Sequence, residues 1–395
     1  VSRISVIIPT YNRKDYLSEA IAAIQAQTRP VDEIIVWDDG SSDGTSEAIA
    51  QITDPRLQYH QAQNAGKSAA LNQAMQHATG DYIWICDDDD LAEPGAGAHL
   101  AMVLDTNPDV GVAGGCYQRF SDTDTGRDII GPGYWPDLSQ GTPLRHILED
   151  IYLFQNATMV RRTCYDQVGP FREDLARSID YEMLVRLATR YPIQMTQDHL
   201  FLQRKHDGDR GPAKFRHAAS AVENVWAAQD RVVFNSLSDH LPLSLFEAMF
   251  SGPAPNVARA ALLQRACIYT RHDLWNHAID DLTAATKIAG ADDLGPVEAD
   301  ICRRAVSGKH GVYLTPDHMH RITQLKRGSE AGQQITRSLG RGLLWSLRKA
   351  ITNRDGPETL RLLRILRCTG LQMKPKQSTS SVAEVSSLAL SAYDW

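Results

Sequence analysis

The sequence predicts an α/β protein: a mixed, mainly parallel sheet with flanking helices, followed by an all-helical C-terminal part. Three observations carry this. Short β-branched runs alternate with amphipathic stretches through the first half, polar clusters stand where those runs end, and strand-like runs vanish past residue 211, where Ala, Leu, Gln and Arg dominate. In order, the pattern reads as strand Ile4–Ile8, helix around Asp15–Gln27, strand Glu33–Trp37, helix near Thr45–Gln51, strand Leu57–His60, helix Ser68–His77 and strand Tyr82–Cys86. Strands joined through helices run parallel, because each crossover returns the chain to the same end of the sheet. Farther on, Val110–Val112, Thr158–Val160 and Leu200–Gln203 read as strands and Asp180–Arg190 as a helix. The Gly/Pro/Asp-rich stretch Asp122–Gly141 reads as a long loop near a site.

A chain of 395 residues exceeds one comfortable core. The turn-rich His206–Pro212 marks the boundary, giving a first domain 1–211, a helical domain 212–375 and a weakly ordered tail 376–395 rich in Ser, Ala and Val. Within the helical part, Ala266, Tyr269, Trp275, Ala278, Ile279, Leu282 and Ala285 have the spacing of one tetratricopeptide-type hairpin. A single copy is not an array, so ordinary helix packing is the simpler account.

The formal charge of −7 conceals an asymmetry. Arg321–Lys376 holds thirteen Lys/Arg against three acids, a local +10 that leaves −17 on the remainder. An acidic body with a basic end argues against nucleic acid as a partner and for a local anionic one. Leu343, Leu344, Leu347, Ile351, Leu362, Leu363, Ile365 and Leu366 recur at helical spacing among those basic residues. Such helices suit peripheral contact with an anionic leaflet, and equally a packed domain with a solvated basic face. Six scattered cysteines without C-x-x-C spacing, no signal-peptide pattern and no run of ~18 apolar residues lead to the expectation of a cytoplasmic protein, at most peripheral on the inner face of a membrane.

Chemistry concentrates at the strand ends, where ligands of such sheets bind. The clusters are Pro9-Thr10-Tyr11-Asn12, Asp38-Asp39-Gly40-Ser41-Ser42-Asp43-Gly44 and Asp87-Asp88-Asp89-Asp90. Four adjacent carboxylates repel one another and call for something positive, and hard oxygens suit Mn²⁺ or Mg²⁺ completed by substrate phosphates. Gly66-Lys67-Ser68 ends like a P-loop, but Gln61 stands where that motif needs glycine, and no G-x-G-x-x-G follows the first strand.

Val6-Ile7-Ile8-Pro9-Thr10-Tyr11-Asn12, Asp38-Asp39-Gly40-Ser41-Ser42-Asp43-Gly44-Thr45, Asn64-x-Gly66-Lys67-x-x-Ala70-x-Asn72 and Asp87-x-Asp89-Asp90 together resemble, in order and spacing, the inverting family 2 glycosyltransferases of GT-A fold, over residues 3 to 206. The resemblance implies a nucleoside diphosphate sugar donor and a glycan or lipid-linked acceptor. Tyr11 beside Pro9 and Thr10 can stack on a pyrimidine, and Asp39 with Asp38 can accept a ring N–H, which favours a UDP-sugar. Lys67 after Gly66 can approach a phosphate, or be a plain surface lysine.

The resemblance makes Asp87 and Asp89 the D-x-D pair, with Asp89 the direct metal ligand and Asp87 or Asp88 facing the ribose. It places the base for the acceptor hydroxyl at Asp180, with Ile179 where the family usually has Glu; a helix-capping Asp is the competing reading, and Glu182 a fallback base. His206 falls at an Arg-x-His element, where it could reach the metal or diphosphate, with Arg204 or Arg210 adding charge, or could be merely solvated. Gln155 and Asn156 stand near the donor sugar without an assigned role. A sugar nucleotidyltransferase would need a glycine- and arginine-rich triphosphate loop that Pro9–Arg13 is not. A catalytically silent GT-A nucleotide-binding protein with a helical docking domain stays open, Ile179 being its support.

Overall fold

The computed structural model describes residues 2–205, 222–291, 293–370 and 381–393, with backbone alone at 222–225. His206 and Arg210 lie outside the described residues. The chain forms two compact units, one of residues 2–136 and 151–205, the other of 137–150 and the described residues from 222 onward.

The first unit is built on a nine-stranded sheet. β1 (Ile4–Thr10) lies between β2 (Glu33–Asp38) and β4 (Tyr82–Ile85), with β3 (Leu57–Gln61) outside β2, and these four are parallel. β1, β2 and β4 are buried along their whole length, as expected of parallel strands covered on both faces. The crossovers run through α1 (Lys14–Gln25), α2 (Thr45–Ile49) and α3 (Lys67–Met75). After the two-residue β5 (Leu91–Ala92) and α4 (Ala96–Thr106), the sheet becomes mixed. β8 (Thr158–Arg161) runs antiparallel between β4 and β6 (Val112–Thr123), and β9 (Ile193–Arg204) pairs parallel with β6 and antiparallel with β5. α6 (Arg162–Val168) and α7 (Ile179–Ala188) complete the unit. Met183 and Leu187 of α7 join Ile7, Ile35, Leu71 and Ile83 in one core, which fixes the orientation of the helix that carries Asp180.

The chain leaves β1 toward β2 and β3 and then crosses back to β4 on the other side. At such a reversal a crevice opens beyond the carboxyl ends of the strands. Register places Thr10 opposite Asp38 and Ile7 opposite Ile85, so the three polar clusters leave the sheet side by side.

The expected loop Asp122–Gly141 is instead largely a hairpin, with β7 (Gly126–Pro132) antiparallel to β6. Nearly all of β7 is exposed, Ile129 and Ile130 included, so it lacks the apolar alternation by which a strand is read. The strand expected at Val110–Val112 starts at Val112 and runs to Thr123.

The second unit is helical: α5 (Pro143–Glu149), α8 (Val222–Leu237), α9 (Leu243–Glu247), α10 (Ala254–Arg271), α11 (Trp275–Ala285), α12 (Pro296–Ala305), α13 (Pro316–Gly328), α14 (Glu330–Gly342), α15 (Leu344–Thr352) and α16 (Gly356–Thr369). α10 packs on α5, α9, α11 and α12, and its buried Ala260, Ala261 and Ala266 permit close helix approach. Pro at the first turn and a side-chain cap set the starts of α13 and α16, where Thr315 accepts from His318 N at 3.2 Å and Asp355 from Glu358 N at 3.0 Å. Residues 381–393, expected to be weakly ordered, include β11 (Ala383–Glu384), antiparallel to β10 (Phe250–Ser251). Glu384 anchors this pairing through Arg145 at 3.3 Å and Arg304 at 3.0 Å. All six cysteines are free, and five are buried.

Candidate active site

The loop after β1 is locked to the loop after β2. Asn12 takes a left-handed conformation (φ 53°), its N–H donates to Ser41 Oγ at 2.8 Å, and its Oδ1 accepts from Ser42 N at 2.7 Å. Tyr11, just before it, projects with 41% of its surface exposed. Pro9 and Thr10 are buried in the strand beneath, and Thr10 Oγ1 donates to Asp88 Oδ2 at 2.7 Å, joining this loop to the aspartate run.

The two aspartates after β2 have different surroundings. Asp38 is fully buried, its carboxylate accepting from Tyr59 Oη at 2.5 Å, Ser41 N at 2.7 Å and Gln61 Nε2 at 3.4 Å. That carboxylate shapes the loop from beneath. Asp39 accepts from the backbone N–H of Ala65 and of Gly66, both at 2.8 Å, and burial outweighs these bonds to push its carboxyl up from the usual value. Gly66 opens α3 at φ 95°, a conformation that suits glycine. Lys67 follows it at the helix N-terminus.

The four consecutive aspartates point in different directions. Asp87 is a third exposed and accepts from Lys67 Nζ at 2.5 Å. Asp88, buried, is bridged by Thr10 and by Arg13 Nη1 at 3.0 Å, and the same guanidinium nitrogen reaches Asp89 Oδ2 at 2.7 Å. Asp90, buried, accepts from Asn156 Nδ2 at 3.0 Å and Arg204 N at 2.8 Å. Burial pushes the Asp88 carboxyl up more than Arg13 pulls it down, and Asp89 adds to the rise. For Arg13, burial opposes the charge but Asp88 and Asp89 more than compensate, raising its pKa. The positive partner that the aspartate run requires is thus supplied in part by the protein itself.

Asp180 lies in the first turn of α7, where Oδ1 accepts from Tyr181 N at 2.9 Å. Burial pushes its carboxyl above the usual value, Lys67 opposes the rise and Asp87 adds to it. Conversely, burial works against the charge of Lys67, yet Asp87, Asp180 and Asp89 together raise its pKa. One ammonium therefore sits in the field of both the aspartate run and the later helix. Asp180 also lines a small cavity with Phe154, Gln155, Tyr165 and Met183.

Two expectations are revised. Glu182, the fallback base, is only 2% exposed and clasped by Arg186 at 2.8 and 2.9 Å, an i,i+4 pair that occupies both carboxylate oxygens. Arg204 is 1% exposed, paired with Asp122 and with Glu19 at 3.0 Å and stacked over Tyr16 and Phe120, so its charge is shared with two carboxylates. Two residues to which the sequence assigns no role matter here. Arg13 clamps Asp88 and Asp89, and Asn156, through its Oδ1, accepts from Asp87 N at 2.6 Å while donating to Asp90. A basic residue directly after the Tyr11-Asn12 turn was the available signal for the first; nothing local marked the second.

Residues 5–169 match the model of Glycosyl transferase family 2. This segment, less than half of the chain, is similar to that family. An uncharacterized glycosyltransferase of Rickettsia felis is 26% identical over 243 residues, covering 57% of this chain and 38% of that protein. Hyaluronan synthase of Pasteurella multocida is 28% identical over 201 residues, covering 48% of this chain and 19% of that one. The chain spans 38% or less of the length of these curated relatives. The crystal structure of S. aureus TarS 1-349 in complex with UDP-GlcNAc matches with a TM-score of 0.51 at 14% identity, over 89% of this chain and 92% of that one. That likeness establishes the fold, so the family 2 domain is of GT-A type.

Proposed function

We propose that the chain is a metal-dependent, inverting glycosyltransferase that moves a sugar from a nucleoside diphosphate sugar, of UDP type, to a hydroxyl of a glycan or glycolipid acceptor, acting in the cytoplasm or at the inner face of a membrane. The carrying observation is Lys67, held at 2.5 Å by Asp87 and within the field of Asp180, so that a phosphate-sized cation and a candidate base occupy one crevice. Tyr11 offers an exposed ring to a pyrimidine, and Asp39 holds the neighbouring loop in place.

Mn²⁺ or Mg²⁺ fits the donors at Asp87 and Asp89. Both are hard carboxylates, Asp87 paired with Lys67 and Asp89 with Arg13, and both are less buried than Asp88 and Asp90, which Thr10, Arg13, Asn156 and Arg204 engage. Among the described residues no three His, Cys, Asp or Glu converge as a metal nest, and two carboxylates suit an ion that takes the rest of its shell from a diphosphate and water. A bound ion would offset the charge that develops on the departing diphosphate. Lys67 would exchange Asp87 for a phosphate oxygen. Asp180 would take the acceptor proton: its burial raises its affinity for that proton, and Lys67 opposes the rise.

A panel of nucleotide sugars with Mn²⁺, read by thermal shift and by turnover, tests the reading. A UDP-sugar should raise Tm and be consumed. Asp180→Asn should lower transfer by about 10²–10⁴ with UDP binding retained. Wild-type transfer by this variant would remove Asp180 as the base, and binding without turnover for every donor and acceptor would favour the silent nucleotide-binding reading.

A further inference from the structure

α15 and α16 present a surface that the rest of the helical unit does not. Ala350 of α15, and Leu362, Ile365 and Thr369 of α16, are buried where α16 packs on α13, α14 and α15. The other sides of both helices carry apolar residues without cover: Trp345 is 70% exposed, Leu360 59%, Ile351 58% and Leu363 46%. Leu360, Leu363, Arg364 and Arg367 follow the i, i+3, i+4, i+7 spacing of a single stripe, and Trp345, Arg348, Lys349 and Thr352 do the same on α15.

The charges on these stripes are unanswered. Among the described residues, Arg348, Lys349, Arg354, Arg364 and Arg367 are exposed and have no carboxylate within ion-pair distance, whereas the more buried Arg259, Arg265 and Arg304 are each paired with an acid. The two acids of the hairpin are already engaged, Asp355 capping α16 and Glu358 gripping Arg361. Lys349 Nζ lies 5.3 Å from the Trp345 ring, placing charge and aromatic at one level.

We infer that this face of α15 and α16 docks on an anionic lipid bilayer, with the Trp345, Ile351, Leu360 and Leu363 side chains entering the headgroup boundary and the five cations meeting lipid phosphates. Trp at such a boundary buries its ring while its N–H stays wet, and Lys and Arg extend past the apolar stripe to the charged layer. A two-fold contact with a second copy would set this cationic face against itself, and a nucleic acid backbone would leave Ile351, Leu360 and Leu363 uncovered. Among the described residues no helix is long and apolar enough to cross a membrane, so the hairpin lies on the surface. The inference does not depend on sugar transfer, since vesicle binding is read without turnover.

The test is co-sedimentation of the full chain with phosphatidylcholine vesicles, with and without phosphatidylglycerol. Binding should require phosphatidylglycerol and weaken as salt rises. Arg348→Glu with Lys349→Glu should reduce partitioning by at least about fivefold per residue. Trp345→Ser should reduce it separately, with far-UV circular dichroism and Tm as in the wild type. Equal binding to both vesicle types would overturn the inference, as would wild-type partitioning by both altered proteins. So would absence of vesicle binding by a chain whose dimer, or whose complex with a test oligonucleotide, these substitutions abolish.

Discussion

Two clusters of charge, one in each unit, use the same residue types to opposite ends. In the helical unit, Glu149 Oε1 accepts from Gln264 at 2.9 Å, Arg304 at 3.1 Å and Arg145 at 3.3 Å, and Arg271 donates to its backbone carbonyl at 2.7 Å. Cation and anion are matched there, and although burial opposes it, the arginines hold the Glu149 carboxyl down at about 2. In the first unit, Arg13 pairs with Asp88 and Asp89 and Lys67 with Asp87, and burial pushes up the carboxyls of Asp39, Asp88 and Asp180. The first cluster is electrostatically relaxed and holds helices together. In the second, burial raises three carboxyls that their described partners do not pull back down, which is how a relaxed network and a candidate site differ when both are rich in ion pairs.

The contrast breaks most visibly at Glu149. Glu149→Ala should cost about 3 kcal/mol, read by urea denaturation, because buried Arg145 and partly buried Arg304 each lose one carboxylate while keeping Glu384, and Gln264 loses its acceptor. Lys67→Met should weaken UDP binding about 10–100-fold by calorimetry, the worth of a charge-assisted phosphate contact, yet change stability by less than about 1 kcal/mol because Asp87 is open to water. A loss of folding on Lys67→Met comparable to that of Glu149→Ala would erase the distinction.

Acid sharpens it further. A carboxyl depressed on folding contributes stability that is present above its unfolded value and lost as pH falls. The Glu149 share is therefore lost between about 4.5 and about 2, and Glu149→Gln should flatten the Tm profile in that window. Asp180 has the opposite sign: its pKa is raised on folding, so its contribution declines as pH rises through the folded value. Asp180→Asn should consequently leave Tm at neutral pH unchanged or raise it by about 2–4 °C while transfer is lost, the smallest of these effects.

How much of this was legible in the sequence varies with range. The strands Ile4–Ile8, Glu33–Trp37 and Tyr82–Cys86 declared themselves because burial on both faces demands unbroken apolar runs, and their convergence followed from parallel pairing. β7 escaped because an exposed strand leaves no periodic signal. The roles of Asn156 and Arg204 depend on partners 66 to 185 positions away, which only the closed sheet brings near. Glu182 was misread for a local reason: an arginine four residues later captures it on the helix. The segment 137–150 also escaped, since its cue is Glu149, whose arginine partners reach as far along the chain as Arg304.

The bond from Asp39 to the N–H groups of Ala65 and Gly66 has a consequence for engineering. It splices the stretch after β2 to the entrance of α3, so the surface beside Tyr11 and the position of Lys67 cannot be exchanged independently. An exchange of either loop with that of a related chain would need to move residues 38–45 and 62–67 as one cassette, and a swap of either alone would disturb both.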